Sequence, residues 1–330
     1  MQTDLNNYNM DTFAVRKDIR YSKGFNLKNF LHSFTGYKKY LALTIMILPT
    51  IIYFFIFKYI PMYGLTMAFK DYKFGLGILG SPWNGLENFE EIFRFASFTR
   101  AMRNTVIISL VKLVAAFPAP IILAIILNEV RHLKFKKIVQ TISYLPYFLS
   151  WVVLAGVFIQ LFSPSTGAVN YILDMLGVKP IYFLGENAWF RPTIVLTHVW
   201  KEVGWGSIIY LAAITGIDLS LYEAAICDGA NRFQRMWHIT LPSILPTITV
   251  LLILNLGHLL DAGFDQIFNL YNSAVYETAD ILDTYVYRIG VEDMRYGLAT
   301  AVGLFKNGIG FFLVVSANYF SKKISDSGIW

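Results

Sequence analysis

The residues best suited to chemistry lie in one polar segment, 217–242, between two apolar segments. The helix-forming residues 223–226 follow Asp218 and Ser220, either of which could cap the start of a helix. Gly229 then interrupts the helical pattern, because glycine adopts backbone angles that other residues resist. The segment therefore predicts a helix that ends in a turn at this glycine.

A second helix is predicted directly after this turn. Asn231 could cap its start, and four apolar residues follow near helical spacing, namely Phe233, Met236, Trp237 and Ile239. This helix is predicted to end at Leu241-Pro242, where the next apolar segment begins. The charged residues of the hairpin lie on its other sides and are Glu223, Asp228, Arg232 and Arg235. Such a hairpin could dock in a groove of a partner protein, and the same pattern would suit an amphipathic connector at the lipid surface.

The composition of the whole chain indicates a polytopic membrane protein. Of its 330 residues, 55% are hydrophobic and 15% are charged, whereas a soluble domain carries roughly 25% charged residues. The single cysteine, Cys227, excludes an intrachain disulfide framework and a cysteine-rich metal site. The net charge of +6 does not indicate nucleic-acid binding, because the basic residues fall beside apolar segments, as is usual in membrane proteins.

Six segments reach the length of about 20 apolar residues that a bilayer crossing needs, and they predict an all-α membrane protein with six transmembrane helices. They are approximately 41–62, 104–127, 138–161, 193–214, 243–260 and 298–320. The third contains Pro146, which predicts a kink. Because no internal repeat or low-complexity linker divides the chain, we expect a basic tail, 1–40, and one transmembrane domain, 41–330.

The basic residues also predict the orientation of the chain. They are frequent in the tail 1–40 and in the loop 129–137, whereas 263–297 is mainly acidic. Because cytoplasmic loops carry the excess of Lys and Arg, both termini and the segment 217–242 are predicted to be cytoplasmic. The tail has no apolar core and does not resemble a cleavable signal peptide. We expect a multi-pass protein of the cytoplasmic membrane, with 263–297 folded as a short helix over the outer face.

Polar residues inside the predicted spans are candidates for a transport pathway, because charges at membrane depth are costly and usually face a cavity or a partner. In the fourth span these candidates are His198, Trp200, Lys201, Glu202 and Trp205. Aromatic rings bind the C–H faces of sugars, which makes the two tryptophans candidates for sugar contact. Interface anchoring or helix packing would explain them at least as well.

Two further sets complete this candidate pathway. The fifth span has a polar stripe of residues spaced by three, Asn255, His258 and Asp261. Buried hydrogen bonds between helices would explain this stripe as well as a pathway would. In the sixth span Lys306 and Asn307 could face the pathway, and a lysine there would suit an acidic sugar. Lys112, in the second span, is a further charge at membrane depth that snorkelling to the interface does not readily explain.

The polar segment resembles the EAA loop of ABC importer permeases. Glu-Ala-Ala is followed after three residues by Gly, after nine more by Ile, and then by one residue and Leu-Pro. The matching positions are Glu223, Ala224, Ala225, Gly229, Ile239, Leu241 and Pro242. The resemblance implies that this loop is the pair of coupling helices that docks in a cleft of an ATPase subunit.

Other stretches are similar to the carbohydrate-uptake, maltose-type branch of these permeases, and most similar to its LplB-type members for oligosaccharides such as aldouronates. They are Lys58-Tyr-Ile-Pro-Met-Tyr-Gly64, Gly80-Ser-Pro-Trp83, Tyr144-Leu-Pro-Tyr-Phe-Leu-Ser-Trp151, Val203-Gly-Trp-Gly206 and Asp283-Thr-Tyr-Val-Tyr287. The resemblance covers roughly 38–330, which leaves only the start of the tail outside it.

The resemblance implies a type I ABC importer permease (MetI-like) fold and a set of coupling residues in the loop 219–242. Glu223 would anchor the loop, Gly229 would allow its turn, and an apolar face with Met236 and Trp237 would pack on the ATPase. The implied coupling residues are Glu223, Ala224, Ala225, Asp228, Gly229, Arg232, Phe233, Ile239, Leu241 and Pro242.

The resemblance also implies partners. The protein partners are a second homologous permease subunit, two ATPase subunits and an extracellular solute-binding protein. The other partners are membrane lipid and an oligosaccharide, which could be acidic. The sequence has no phosphate loop of the form Gly-x4-Gly-Lys-Ser/Thr, so ATP and Mg are expected on the partner ATPase and no cofactor on this chain.

The expected function is therefore that of a non-enzymatic permease subunit of a binding-protein-dependent ABC importer. Two alternatives are a permease for another small solute and a stand-alone secondary transporter. The latter would leave the EAA loop without a purpose and usually shows internal repeats. A structural membrane protein or an intramembrane enzyme is a third class, although no catalytic motif is present in the sequence.

Overall fold

Helices form the regular structure of the part of the chain described by the computed structural model, residues 37–325. These residues fall into two compact units, 37–63 and 64–325. Apart from its last residues, the predicted tail 1–40 lies outside the described part of the chain.

The first unit is a single apolar helical segment. Helix α1 spans Tyr37–Phe54 and continues through a π-helical turn, Phe55–Tyr59, into a short helix, Ile60–Met62. From Leu41 onward its large apolar side chains are exposed. This is expected of a helix whose solvent is lipid, because lipid tails are as apolar as the side chains themselves.

The second unit contains thirteen labelled helices. In chain order they are α2 (Glu87–Arg94), α3 (Ala96–Ala116), α4 (Pro118–Glu129), α5 (Leu133–Tyr144), α6 (Trp151–Leu161), α7 (Ala168–Met175), α8 (Asn187–Thr215), α9 (Leu219–Cys227), α10 (Arg232–Arg235), α11 (Leu241–Gly257), α12 (Phe264–Leu270), α13 (Leu282–Tyr287) and α14 (Tyr296–Ser325). Shorter helical turns are Tyr63–Phe69, Phe74–Leu76, Gly77–Gly80, Leu145–Phe148, Met236–Thr240, Ser273–Val275, Tyr276–Ala279 and Arg288–Glu292.

Among the described residues, four stretches are long and apolar enough to cross a membrane. They are Leu41–Phe69, Ala96–Glu129, Arg232–Gly257 and Tyr296–Lys323. Two bent pairs also qualify when each is taken as one span, namely Leu133–Phe148 with Trp151–Leu161 and Asn187–Thr215 with Leu219–Cys227. The resulting total of up to six agrees with the six spans predicted from the sequence.

The third span is broken, whereas the sequence predicts only a kink at Pro146. Its two halves, α5 and α6, meet at an angle of 105°. A 3-10 turn containing the proline ends the first half, and the Ser150 hydroxyl caps the second by accepting from the N–H of Val153 at 3.3 Å. The larger bend follows because a tight turn and a new helix start together replace the continuous backbone hydrogen bonds.

Helix α8 packs closely against the first half of the broken span. A Cβ atom on Gly204 would lie 1.9 Å from the carbonyl oxygen of Ser143, so only glycine allows this approach. The ammonium group of Lys201, one turn earlier on α8, donates to the carbonyl oxygens of Tyr147 at 2.8 Å and Leu149 at 3.0 Å. The carbonyls released by the break are thereby satisfied inside the protein, as the hydrocarbon region requires.

Segment 263–297 is more extensive than the single short helix expected from its sequence. It forms α12, α13 and several turns, and it contributes fully buried residues such as Ile267 and Ile281 to the core. Asp280 is also fully buried and accepts hydrogen bonds from Arg288 at 2.8 and 3.2 Å. A buried carboxylate needs such a partner, and that pairing comes from the fold of the segment rather than from helical periodicity.

Candidate functional site

The polar segment folds as the predicted hairpin of two helices. Asp218 caps α9 by accepting from the N–H of Ser220 at 2.9 Å, and these hydrogen bonds from Ser220 hold the pKa of the Asp218 carboxyl below its ordinary value. Gly229 has a φ of 80°, in the left-handed region that favours glycine. Asn231 caps α10 in a capping box with Gln234. Local sequence signals therefore determine this hairpin.

The second arm of the hairpin differs from the expectation that it ends at Leu241-Pro242. It continues through a π-helical turn, Met236–Thr240, into α11, so 232–257 is one continuous helix. Pro242, which has no N–H to donate, lies directly after this π-helical turn, where the pattern of backbone hydrogen bonds changes. The consequence is a direct mechanical connection between the hairpin and a membrane span.

Tyr222, which the motif does not mark, ties the two arms together. Its hydroxyl lies 2.8 Å from that of Thr240, which is buried at the start of the second arm's membrane span. Phe233 and Trp237 stack with ring centroids 6.3 Å apart and are both exposed. Four further residues of the hairpin are also exposed, namely Glu223, Ala224, Asp228 and Arg232. The hairpin is thus held internally and displays an apolar pair outward.

A cavity of about 370 Å³ lies between α3, α8 and the end of α11. It brings together six of the ten residues expected along the pathway, namely His198, Glu202, Trp205, Asn255, His258 and Asp261. The polar stripe of the fifth span reaches this cavity although α11 ends at Gly257, so His258 and Asp261 line it from beyond the helix. The cavity combines carboxylates, imidazoles, an amide and an aromatic ring, the mixture that binds a polar organic solute.

Trp205 forms an aromatic platform at this cavity. Its ring stacks on that of Tyr147 with centroids 4.6 Å apart and planes 4° apart, and Phe148 meets it edge-on at 5.5 Å. Both partners come from the turn that breaks the third span. The broken span therefore supplies the support for a ring that faces the cavity.

Four of the expected pathway residues do not line the cavity. Lys201 is buried and holds the carbonyls of the broken span, with Tyr147 and Trp151 rings near its ammonium group. Trp200 packs edge-on against Phe158 at 5.7 Å. Asn307 is exposed on α14.

Lys306, the fourth, binds two carboxylates instead of facing the cavity openly. Its ammonium group pairs with Asp283 at 2.6 Å and also with Asp261, which in turn lies 3.2 Å from Nδ1 of His258. These contacts join α14, α13 and the end of α11 beside the cavity. From the sequence, this lysine was expected to suit an acidic sugar. In the structure its ammonium group is already paired with two carboxylates.

Two cavity residues on α3 lie outside the set expected from the sequence. The buried ammonium group of Lys112 donates to the carbonyl of Ala262 and to Oε1 of Gln266, both at 2.6 Å. Ser109, one turn earlier, is buried, and its hydroxyl has no hydrogen-bond partner among the described residues. The sequence offered a signal for Lys112, because a lone lysine in an apolar segment is unusual. It offered none for Ser109, because serine is common in such segments.

Comparison with known proteins decides the family. A sequence model described as "Binding-protein-dependent transport system inner membrane component" matches residues 116–326, which is more than half of the chain. The chain belongs to this family. The resemblance drawn from the EAA loop is thereby confirmed, together with the all-α permease fold.

This permease has similar relatives in Bacillus subtilis (strain 168). It is 46% identical to protein LplB over 288 residues, which covers 87% of this chain and 91% of the relative. It is 47% identical over 293 residues to the polygalacturonan/rhamnogalacturonan transport system permease protein YteP, covering 89% and 91%. Both alignments extend over nearly the whole permease.

A solved structure with the same fold is a bacterial ABC transporter involved in the import of the acidic polysaccharide alginate. The TM-score is 0.83 at 45% sequence identity, and the match covers 89% of this chain and 99% of the other. A second structure of the alginate transporter, in complex with an alginate pentasaccharide-bound periplasmic protein, also matches with a TM-score of 0.83.

Proposed function

We propose that this permease moves an oligosaccharide across the cytoplasmic membrane through the cavity between α3, α8 and α11, driven by ATPase subunits that dock on the hairpin. The observation that carries the proposal is the continuous helix 232–257. Its first turn belongs to the hairpin, with Phe233, and its last turn reaches the cavity, with Asn255. At about 1.5 Å per residue, 26 residues extend roughly 39 Å, enough to connect a cytoplasmic partner with the middle of a bilayer.

The hairpin would act as a lever in this proposal. Phe233 and Trp237 offer an exposed apolar pair, and Glu223 offers a charged group on the other arm. When the ATPases close on ATP and Mg, the hairpin would move with them, and the π-helical turn would transmit the movement to the span. Gly229 supplies the sharp turn without which the two arms could not lie together.

The cavity would hold the cargo by stacking and hydrogen bonding. Trp205 offers the face of a ring, and Glu202 and Asn255 offer polar groups that can bind sugar hydroxyls. The names of relatives support a sugar polymer as the cargo, because YteP is named for polygalacturonan and rhamnogalacturonan and the matched structure imports alginate. Those cargoes are acidic, so we propose uronate-containing oligosaccharides as the substrate class.

The proposed assembly contains a second permease subunit, two ATPases and an extracellular solute-binding protein. The alginate transporter supports the last of these, since its structure includes a periplasmic protein carrying a pentasaccharide. ATP hydrolysis would then belong to the ATPases, and both termini of this chain would lie in the cytoplasm with the hairpin.

Copurification of the ATPase tests the coupling role. A tagged permease with Glu223→Ala or Phe233→Ala should retain less ATPase than the native chain. The control Glu292→Ala changes an exposed acid in the segment 263–297, outside the hairpin sequence. If both hairpin variants retain native amounts of ATPase and native uptake, the coupling role is wrong. The cargo is tested separately, by asking whether oligogalacturonates stimulate the ATPase of the complete transporter more than neutral gluco-oligosaccharides do.

A further inference from the structure

The loop 70–86, here called the apolar loop, displays large apolar side chains outside the helices that could span a membrane. Phe74, Leu79 and Trp83 are 84%, 81% and 67% exposed. An exposed apolar patch of this kind usually marks a surface that another phase or molecule covers. Neither the hairpin nor the cavity involves this loop, although it contains the sequence Gly80-Ser-Pro-Trp83.

Hydrogen bonds hold the apolar loop in shape from within. The buried amine of Lys70 donates to the carbonyl oxygens of Ile78 at 2.6 Å and Leu79 at 3.3 Å. The Ser81 hydroxyl donates to the carbonyl of Gly77 at 2.6 Å. The Lys70 ammonium group also lies 5.0 Å from the centre of the Trp83 ring. The loop therefore presents its apolar side chains from an ordered scaffold, and their exposure is not a result of missing internal structure.

The apolar loop lies where two spans begin. Tyr72 packs edge-on against Tyr296, the first residue of α14, with ring centroids 5.5 Å apart. A Cβ atom on Gly297 would lie 3.1 Å from the carbonyl oxygen of Lys70, which places the base of the loop against the first turn of that span. Helix α2 then connects the loop to α3, the start of the second span. This continuity with the membrane-spanning surface favours lipid as the covering phase.

We propose that the apolar loop inserts Phe74, Leu79 and Trp83 into the interfacial region of the bilayer, at the end of the spans away from the hairpin. Tryptophan and phenylalanine are the residues that favour this region, and lysines beside them can reach the lipid phosphates. Exposed Lys73, whose ammonium group lies 3.4 Å from the Asp71 carboxylate, provides such a cation beside the patch. The loop would thereby fix the depth at which α3 and α14 leave the membrane.

Spin-label accessibility tests this assignment in the complete transporter, reconstituted in phosphatidylcholine nanodiscs. In a Cys227→Ser background, a label at Leu79→Cys should collide more with oxygen, which concentrates in lipid, than with a water-soluble nickel chelate. The matched control is Glu90→Cys on α2, where the side chain is 68% exposed in an exposed ion pair with Arg94. Its label should collide more with the nickel chelate than with oxygen.

Two results would overturn the proposal. Nickel accessibility at Leu79 equal to that at Glu90 would place the loop in water, and low accessibility to both reagents would mean that a protein partner covers it. Phe74→Cys provides a second reporter if Leu79→Cys does not assemble, because Phe74 is the most exposed of the large apolar side chains in the loop. The same rule for oxygen and nickel applies to its label.

Discussion

The ammonium group of Lys201 lies 2.8 Å from the main-chain carbonyl oxygen of Tyr147, at the point where the third span breaks. A lysine on α8 thus caps the end of a helix on a different span. Its charge also favours the helix C-terminus, where the backbone dipole is negative. This arrangement allows a sharp break at membrane depth without leaving carbonyl groups unsatisfied.

Replacing Lys201 by methionine should therefore destabilise the protein rather than only weaken cargo binding. Two carbonyl groups at membrane depth would lose their donor, at a cost of about 1–3 kcal/mol. The measurement is the thermal unfolding of the purified transporter, with Asn307→Ala as an exposed control on α14. If the melting temperature is unchanged and the cargo stimulates ATP hydrolysis less, Lys201 contributes to the transport pathway and not to stability.

Gly204→Ala should disrupt the packing of α8 on α5, because the new methyl group would lie 1.9 Å from the Ser143 carbonyl oxygen. Overpacking of this kind costs about 1–3 kcal/mol or more. The matched control is Gly303→Ala, where the added carbon meets no atom within 4 Å beyond the nearby backbone of its own helix and its chain neighbours. The yield and melting temperature of the folded transporter should fall for the first variant only; equal values for both would contradict the close approach.

Gly229→Val should impair coupling by straining the hairpin turn. The space around this residue is open, so the cost arises from the left-handed backbone and amounts to about 1–2 kcal/mol. Asparagine tolerates the same backbone angles, and Gly229→Asn should therefore preserve more activity. Cargo-stimulated ATP hydrolysis by the complete transporter measures the difference, and equal loss in the two variants would show that backbone strain is not the cause.

The two tryptophans of α8 should respond differently to substitution by alanine. Trp205 lines the cavity and Trp200 packs against Phe158 outside it. Loss of one stacked ring is worth about 0.5–1.5 kcal/mol, or roughly a 2- to 13-fold rise in the cargo concentration that half-stimulates the ATPase. We expect this rise for Trp205→Ala alone. A rise of the same size for Trp200→Ala would place the cargo elsewhere.

Lys306→Met should leave Asp261 and Asp283 without their shared cation. The expected loss of stability is about 1–3 kcal/mol, at the lower end of that range because Asp261 is half-exposed and water screens its charge. Neutralising a carboxylate as well, in Lys306→Met with Asp283→Asn, should restore part of the melting temperature. If the double variant is less stable than the single one, the ion pairs are not what Lys306 contributes.

The sequence by itself determined the features that depend on neighbours along the chain. The hairpin follows from caps at Asp218 and Asn231 and from one glycine, each acting within a few residues. The spans follow from length and apolar composition, because the bilayer imposes the same requirement on each of them. The EAA spacing identified the family for the same reason, since all of its residues lie in one local segment.

The tertiary structure decided which polar residues share a site. Helical periodicity places Trp200, Lys201 and Trp205 on faces of α8, but it does not say which span each face meets. The carbonyl partners of Lys201 lie on the broken third span. The carboxylate partners of Lys306 are Asp283, in the folded segment 263–297, and Asp261, just beyond α11. A charged side chain inside a membrane binds the partner that the fold brings to it. For this reason, some of the candidate pathway residues line the cavity and others have structural roles.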